Sequence, residues 1–406
     1  MSVYRADWVL PIAGDPIRGG WVAIERGRIA AVSSTPTSGA VDLGSAAILP
    51  ALVNAHTHLE LSYLRDVVPP AARFLDWIAA IMAARRRYAD PRAPAILAAA
   101  RSAIDESRRS GTGLVGEVSN TLVTVPLLRG AGMAARVFYE LIGFNLADPW
   151  ARVRQARAQL DGEDGGDDIR VALAPHAPYS VSPDLFSAIR DDLNAQPGDV
   201  STVHLGESPE EVEFIAEGTG AWRDLLVTLG VWTDAWKAAG VSPVQYLADM
   251  GFLDSRVLVV HGVQLEGDDL ARLRALGTTL VSCPRSNRYV GVGDPPLEAF
   301  YAMGVTVAFG TDSLASVDDL NLFGELALAR QLAPRVPART LLKSATRCGA
   351  AALGFGDEFG TIEVGKRAAL IAVRVPADTE DVEEYLLTGI EPSAITWLDP
   401  ENPKSQ

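Results

Sequence analysis

The chain carries only five histidines in 406 residues, and their placement is that of a metal site. His56 and His58 stand two apart in NAHTH, His176 lies in APHAPYS, His204 in HLGES and His261 in VVHGV. Each ends or follows a short apolar run of strand character, and a further such run ends in Asp312 of GTDS. Alternate residues of a strand point the same way, so His56 and His58 project together from a rigid element. A single strand-end histidine is most often structural, but all five converging on one end of one sheet is hard to produce that way. Three imidazoles and a carboxylate suit zinc or ferrous iron. His56, His58, His204 and Asp312 are therefore assigned to one divalent metal ion. Zinc is the first choice because it performs no redox chemistry; the ligand set leaves iron and manganese open. Such an ion lowers the pKa of its water to about 7. Glu207, three residues after His204, is placed to take a proton from water and pass one to a substrate ring nitrogen, the task that hydrolytic deamination sets. His261 would hydrogen-bond the attacking oxygen and shuttle the second proton.

These residues need a scaffold that brings distant strand ends together. Eight apolar runs stand between residues 48 and 354: AILPALVNAHTH, TGLVGEVS, AARVFYELI, IRVALAPHA, VSTVHLGES, RVLVVHGV, TTLVSCPRS and VTVAFGTDS. Helical stretches follow them, such as PDLFSAIRDDLNA after the fourth. This alternation predicts an α/β protein, a (β/α)8 TIM barrel over residues 49–354, with its active groups at the C-terminal ends of the strands. The fourth run holds no lysine to bridge two metals, which favours a single ion. Residues 1–48 and 355–406 read instead as short strands between turn formers, and we join them as one small β-sandwich built from both chain ends. The acidic stretch at residues 161–168 reads as a solvated loop.

A formal net charge of −15 disfavours a nucleic acid polymer as partner and suits a small molecule. Cys283 and Cys348 form no framework, which points to a reducing compartment. The N-terminal residues lack a signal-peptide pattern, and no apolar run reaches the ~18 residues of a membrane span. The expected location is cytoplasmic. A homodimer is left open.

In their order, NAHTH, HLGE, VVHGV, CPRSN and GTDS resemble the amidohydrolase superfamily, specifically its adenosine/guanine/S-adenosylhomocysteine deaminase and chlorohydrolase branch. WVAIERGRIAAVSS and GTIEVGKRAALIAV resemble that group's β-sandwich. The resemblance implies the same metal ligands, proton transfer by Glu207 and His261, and a substrate contact from His176. Two residues depart from the pattern: Gly206 stands where alanine is usual before the glutamate, and Ala369 replaces an aspartate in GKRAAL.

Within that branch, NAHTHLELS, RFLDWI and CPRSN resemble the aminodeoxyfutalosine deaminases of menaquinone biosynthesis. The resemblance implies an adenine nucleoside as substrate. Candidate substrate contacts are then Glu60, two residues beyond His58; Arg73, for the substrate's benzoate carboxylate; Trp77, as part of an apolar lid with Phe74; Glu117, at the end of the second strand; and Asn287, for a purine edge. Ser313 is a candidate for orienting Asp312. Glu60 reads equally well as a buried ion-pair partner, and Glu210 and Glu211 as loop carboxylates. Trp222, Trp232 and Trp236 read equally well as a pocket wall or as helix packing, and core packing is the other reading of Phe74 and Trp77. The rival activities are deamination of S-adenosylhomocysteine, methylthioadenosine or adenosine, hydrolytic dechlorination of a triazine, and opening of a cyclic amide. A non-catalytic binding scaffold is disfavoured by the complete ligand set.

Overall fold

In the computed structural model of the chain, which describes residues 1–35, 38–163, 166 and 168–398, all eight expected strands form. They are β1 (Leu52–Thr57), β2 (Thr112–Ser119), β3 (Ala134–Leu141), β4 (Ile169–Pro175), β5 (Ser201–Leu205), β6 (Val257–His261), β7 (Thr279–Ser282) and β8 (Thr306–Phe309). They pair in parallel as two four-stranded sheets, β1 to β4 and β5 to β8, each in sequence order. Their residues are almost wholly buried, as expected of parallel strands covered on both faces.

Two seams bring the sheets together. Between β4 and β5, the His204 N–H donates to the His176 carbonyl at 2.9 Å and Ser201 Oγ donates to the Leu173 carbonyl at 2.9 Å. Between β8 and β1, the Asp312 N–H donates to the His56 carbonyl at 3.1 Å, and Asn54 Nδ2 donates to Thr311 Oγ1 at 2.8 Å. Gly310 makes the second seam possible, because a Cβ there would lie 2.7 Å from the His56 carbonyl oxygen. Val53, Leu114, Phe138, Ala172, Val281 and Ala308, from both sheets, share one buried cluster. Cys283 belongs to it and burial raises its thiol pKa, consistent with an inert packing residue.

Helix starts are written plainly in the sequence. The helices Pro183–Ala195, Pro209–Glu217 and Pro243–Asp249 each follow a serine whose side chain accepts an N–H of the first turn, with proline at the first position. Serine satisfies an otherwise orphaned donor, and proline has none to lose.

The chain ends meet. Leu370–Arg374 runs antiparallel to Ala46–Pro50, which also pairs with Trp8–Val9. A second small sheet holds Ser2–Arg5, Trp21–Glu25, Arg28–Ser33 and Val41–Asp42. Tyr4, Val22, Ile24, Ile48, Ile362 and Leu370 pack together between these sheets. The first apolar run is thus divided: Ala46–Pro50 serves the small sheet and β1 begins at Leu52. Residues 164, 165 and 167 of the acidic stretch, and residues 399–406 at the C-terminal end, lie outside the described residues. No helix among the described residues is long and apolar enough to cross a membrane.

Candidate active site

The strand ends deliver the histidines to one place. The ring centroids of His56 lie 4.9 Å from His58, 5.0 Å from His204 and 5.8 Å from His261. Asp312 Oδ1 stands 3.9 Å from His56 Nε2 and 3.7 Å from His58 Nε2. Asp312 is fixed by two donors: Ser286 Oγ to Oδ2 at 2.7 Å and the Ser313 N–H to Oδ1 at 2.7 Å. His204 turns Nδ1 to the His176 carbonyl at 3.0 Å, with Glu140 Oε1 at 3.5 Å, which leaves its Nε2 to face the cluster.

This donor set fits a divalent ion. Both ring nitrogens of His56 are buried without a hydrogen-bond partner, a costly arrangement for an imidazole unless something else takes the lone pair. Burial, then repulsion from neighbouring histidines, holds His56 and His58 well below the ordinary imidazole range, and burial brings His204 to about 4. Neutral imidazoles are the form that ligates. Donors that share an ion at about 2.1 Å stand roughly 3–4 Å apart, as Asp312 does from the two histidines.

Glu207 is buried beside this cluster, its Oε1 3.6 Å from His261 Nε2. Burial raises its pKa well above the usual carboxylate value, and the charges of Asp312 and Glu211 add to the effect. His261 Nδ1 donates to Asn287 Oδ1 at 2.9 Å; that bond leaves Nε2 as the acceptor facing Glu207. His261 and Asp312 both adopt positive φ, 75° and 62°. Such backbone strain in non-glycine residues is characteristic of functional sites.

The cluster opens into a cavity of about 610 Å³, lined by His58, His176, Glu207, His261, Asp312 and Ser313 at its polar end and by Phe74, Trp77, Ile81 and Trp222 elsewhere.

A sequence profile of the amidohydrolase family matches residues 47–394. The chain belongs to the amidohydrolase family. Among its relatives, an aminodeoxyfutalosine deaminase of Deinococcus radiodurans is 32% identical over 331 residues, 78% of this chain and 75% of the relative. A 5-methylthioadenosine/S-adenosylhomocysteine deaminase of Halobacterium salinarum is 32% identical over 377 residues, 88% of this chain and 80% of the relative. Among solved structures, an adenosine deaminase from Xanthomonas campestris with bound zinc superposes with a TM-score of 0.80 at 29% identity, covering 97% of this chain and 90% of that one. Helicobacter pylori aminofutalosine deaminase in complex with methylthio-coformycin gives a TM-score of 0.83 at 26% identity, covering 95% of each chain.

The remaining expected contacts of this amidohydrolase divide. His176, Trp77 and Ser313 line the cavity. His176 Nδ1 lies 2.6 Å from Ser180 Oγ, and burial, followed by the charge of Arg85, lowers its pKa to about 4. Trp77 Nε1 donates to the Ala315 carbonyl at 3.3 Å. Ser313 meets Asp312 through its backbone N–H, while the side chain that orients the aspartate is Ser286. Trp222 lines the cavity, stacked on Tyr179 at 3.7 Å; Trp232 and Trp236 pack against Phe144 and Phe214.

The other four expected substrate contacts are not among the residues that line the cavity. Glu60 is enclosed by four donors, the Ser119 and Thr121 hydroxyls and the Asn120 and Thr121 N–H groups. Glu117 accepts from the Leu59 N–H at 2.8 Å and holds the turn after β1. Asn287 gives its Oδ1 to His261, while its buried Nδ2 has no hydrogen-bond partner. Arg73 is exposed, just before the helix Phe74–Arg85; the arginines at the cavity are Arg85 and Arg86. Helical spacing carries the signal for Arg85, since residues 77, 81 and 85 share a face.

Glu140 and Glu211 carry roles that the sequence reading did not give them. Glu140, the last residue but one of β3, borders the cavity and is held by Asn120 Nδ2 at 2.8 Å. Glu211 supports the loop of Glu207. Its signal was Ser208-Pro-Glu-Glu211, the spacing of a capping box. Gly206, one of the two departures, suits its place: its φ is +63° and a Cβ would lie 2.4 Å from the tip of the Leu265 side chain.

Proposed function

We propose that this amidohydrolase deaminates an adenine-containing nucleoside by hydrolysis, and that its substrate is 6-aminodeoxyfutalosine, converted to futalosine and ammonia in menaquinone biosynthesis. The observation that carries this reading is the pairing of buried Glu207 with His261 Nε2 at 3.6 Å, beside the His56, His58, His204 and Asp312 cluster. The relatives in Deinococcus radiodurans and Helicobacter pylori support the substrate. The Halobacterium salinarum relative keeps methylthioadenosine and S-adenosylhomocysteine as the second reading.

His56, His58, His204 and Asp312 would hold one divalent ion, zinc by preference, which when bound polarises water and lowers its pKa. The protein's own groups manage the protons. Water oxygen bonds to C6 of the adenine, and that carbon becomes tetrahedral. Glu207 takes one proton from the water and gives it to N1 of the ring. Its raised pKa favours the protonated form that donates. His261 Nε2 receives the second proton and returns it to the amino nitrogen. The C6–N bond then breaks, ammonia leaves and the hypoxanthine carbonyl remains. His176, on the cavity wall, would contact the substrate.

We read the eight parallel strands as a closed barrel over residues 49–354, flanked by a small domain from residues 1–48 and 355–406; the hydrogen bonds at both seams support closure. The purified, zinc-loaded protein is to be assayed for ammonia release and the adenine-to-hypoxanthine absorbance change. The substrates are 6-aminodeoxyfutalosine, S-adenosylhomocysteine, methylthioadenosine and adenosine. Preference for the first is expected. Preference for another would move the substrate, and ammonia from none would end the deaminase reading.

A further inference from the structure

The cavity is asymmetric in charge. Along the helix Phe74–Arg85 its wall is apolar, with Phe74, Trp77 and Ile81, and this wall ends at Arg85 and Arg86. Among the described lining residues these are the only lysines or arginines.

Arg85 has no close carboxylate partner: its ion pair with Glu60 is long, and its other polar neighbours are the neutral side chains of Asn120 and Tyr63. One of its N–H groups donates to Asn120 Oδ1 at 3.2 Å. The carboxylate that approaches it is Glu60, 4.0 Å away. That carboxylate already accepts from Ser119, Asn120 and Thr121. A guanidinium carries five donors in a planar fork suited to a carboxylate. A cation held half-buried at the end of an apolar wall, with donors to spare, is complementary to an apolar group that ends in an anion.

We propose that Arg85 binds a carboxylate carried by the substrate on the part that packs against the Trp77 and Ile81 wall, so that the site selects nucleosides with an acidic, apolar substituent over neutral ones. The proposal rests on the deaminase reading and deepens it. Arg86, exposed at the rim, adds long-range attraction for the same group.

The test uses two adenine nucleosides that differ only in a 5′ substituent, an aryl carboxylate or its primary amide, together with the corresponding hypoxanthine products. With zinc-loaded enzyme, KM and kcat are measured for the first pair and Kd by calorimetry for the second. Wild type is expected to favour the acid by roughly tenfold to a hundredfold in KM and Kd. Arg85→Met should bring the acid-to-amide ratio to about one, Arg85→Lys should retain part of the preference, and Arg73→Ala should leave the wild-type ratio intact. Equal binding of acid and amide by wild type, or a preference that survives Arg85→Met, overturns the proposal while deamination stands. Selective binding without ammonia release would overturn the deaminase reading and leave the role of Arg85 supported.

Discussion

Glu211 holds the backbone of Glu207. Its two carboxylate oxygens accept the N–H groups of Gly206 and Glu207, each at 2.9 Å, so one buried acid fixes the loop that presents the other. Burial raises the Glu211 pKa from 4.5 to about 7. The folded state therefore binds this proton more tightly than the unfolded chain does. The resulting stabilisation, about 3 kcal/mol, is complete below about pH 4.5 and is lost as pH rises through about 7. Melting temperatures measured between about pH 5 and about pH 8 should fall more steeply for wild type than for Glu211→Gln, which has no proton to lose. Parallel curves would refute the assignment.

Glu207→Gln keeps the shape of the side chain and removes its proton transfer. Turnover is expected to drop by roughly 10²- to 10⁴-fold, with bound metal unchanged by elemental analysis. Wild-type turnover in this variant would remove Glu207 from the chemistry.

Asp312→Ala should lower the metal retained after loading and dialysis, with circular dichroism confirming the fold. Ser286→Ala, which deletes the 2.7 Å donor to Asp312, should weaken metal affinity by roughly tenfold to a hundredfold. Full occupancy in Asp312→Ala would refute its place among the ligands.

Asn287 accepts from His261 Nδ1 and so presents Nε2 toward Glu207. Asn287→Leu should reduce kcat by roughly tenfold or more, and Asn287→Asp, which restores an acceptor, should recover part of the loss. If the leucine variant turns over like wild type, the hydrogen bond does not position His261.

Much of the site is legible before folding because strand periodicity and residue chemistry are local properties. His56, His58, His204 and Asp312 ride on apolar runs whose ends any parallel α/β sheet must gather, and Glu207 and His261 follow from the same argument. The capping-box spacing that marks Glu211 and the helical face shared by Trp77, Ile81 and Arg85 are local too. Glu60, Glu117, Asn287 and Arg73 are different. Their types suit substrate contacts, yet Glu60 is taken up by donors from residues 119–121, Glu117 by the turn after β1, and the Oδ1 of Asn287 by a histidine 26 positions away. Arg73 falls just outside the helix that carries Arg85 to the cavity. The sequence by itself determined which strand ends carry the clustered histidines, Asp312 and Glu207. Only the tertiary structure decided which polar side chains face the cavity, because a buried carboxylate or amide turns to whichever donor or acceptor the packing of distant segments brings within about 3 Å.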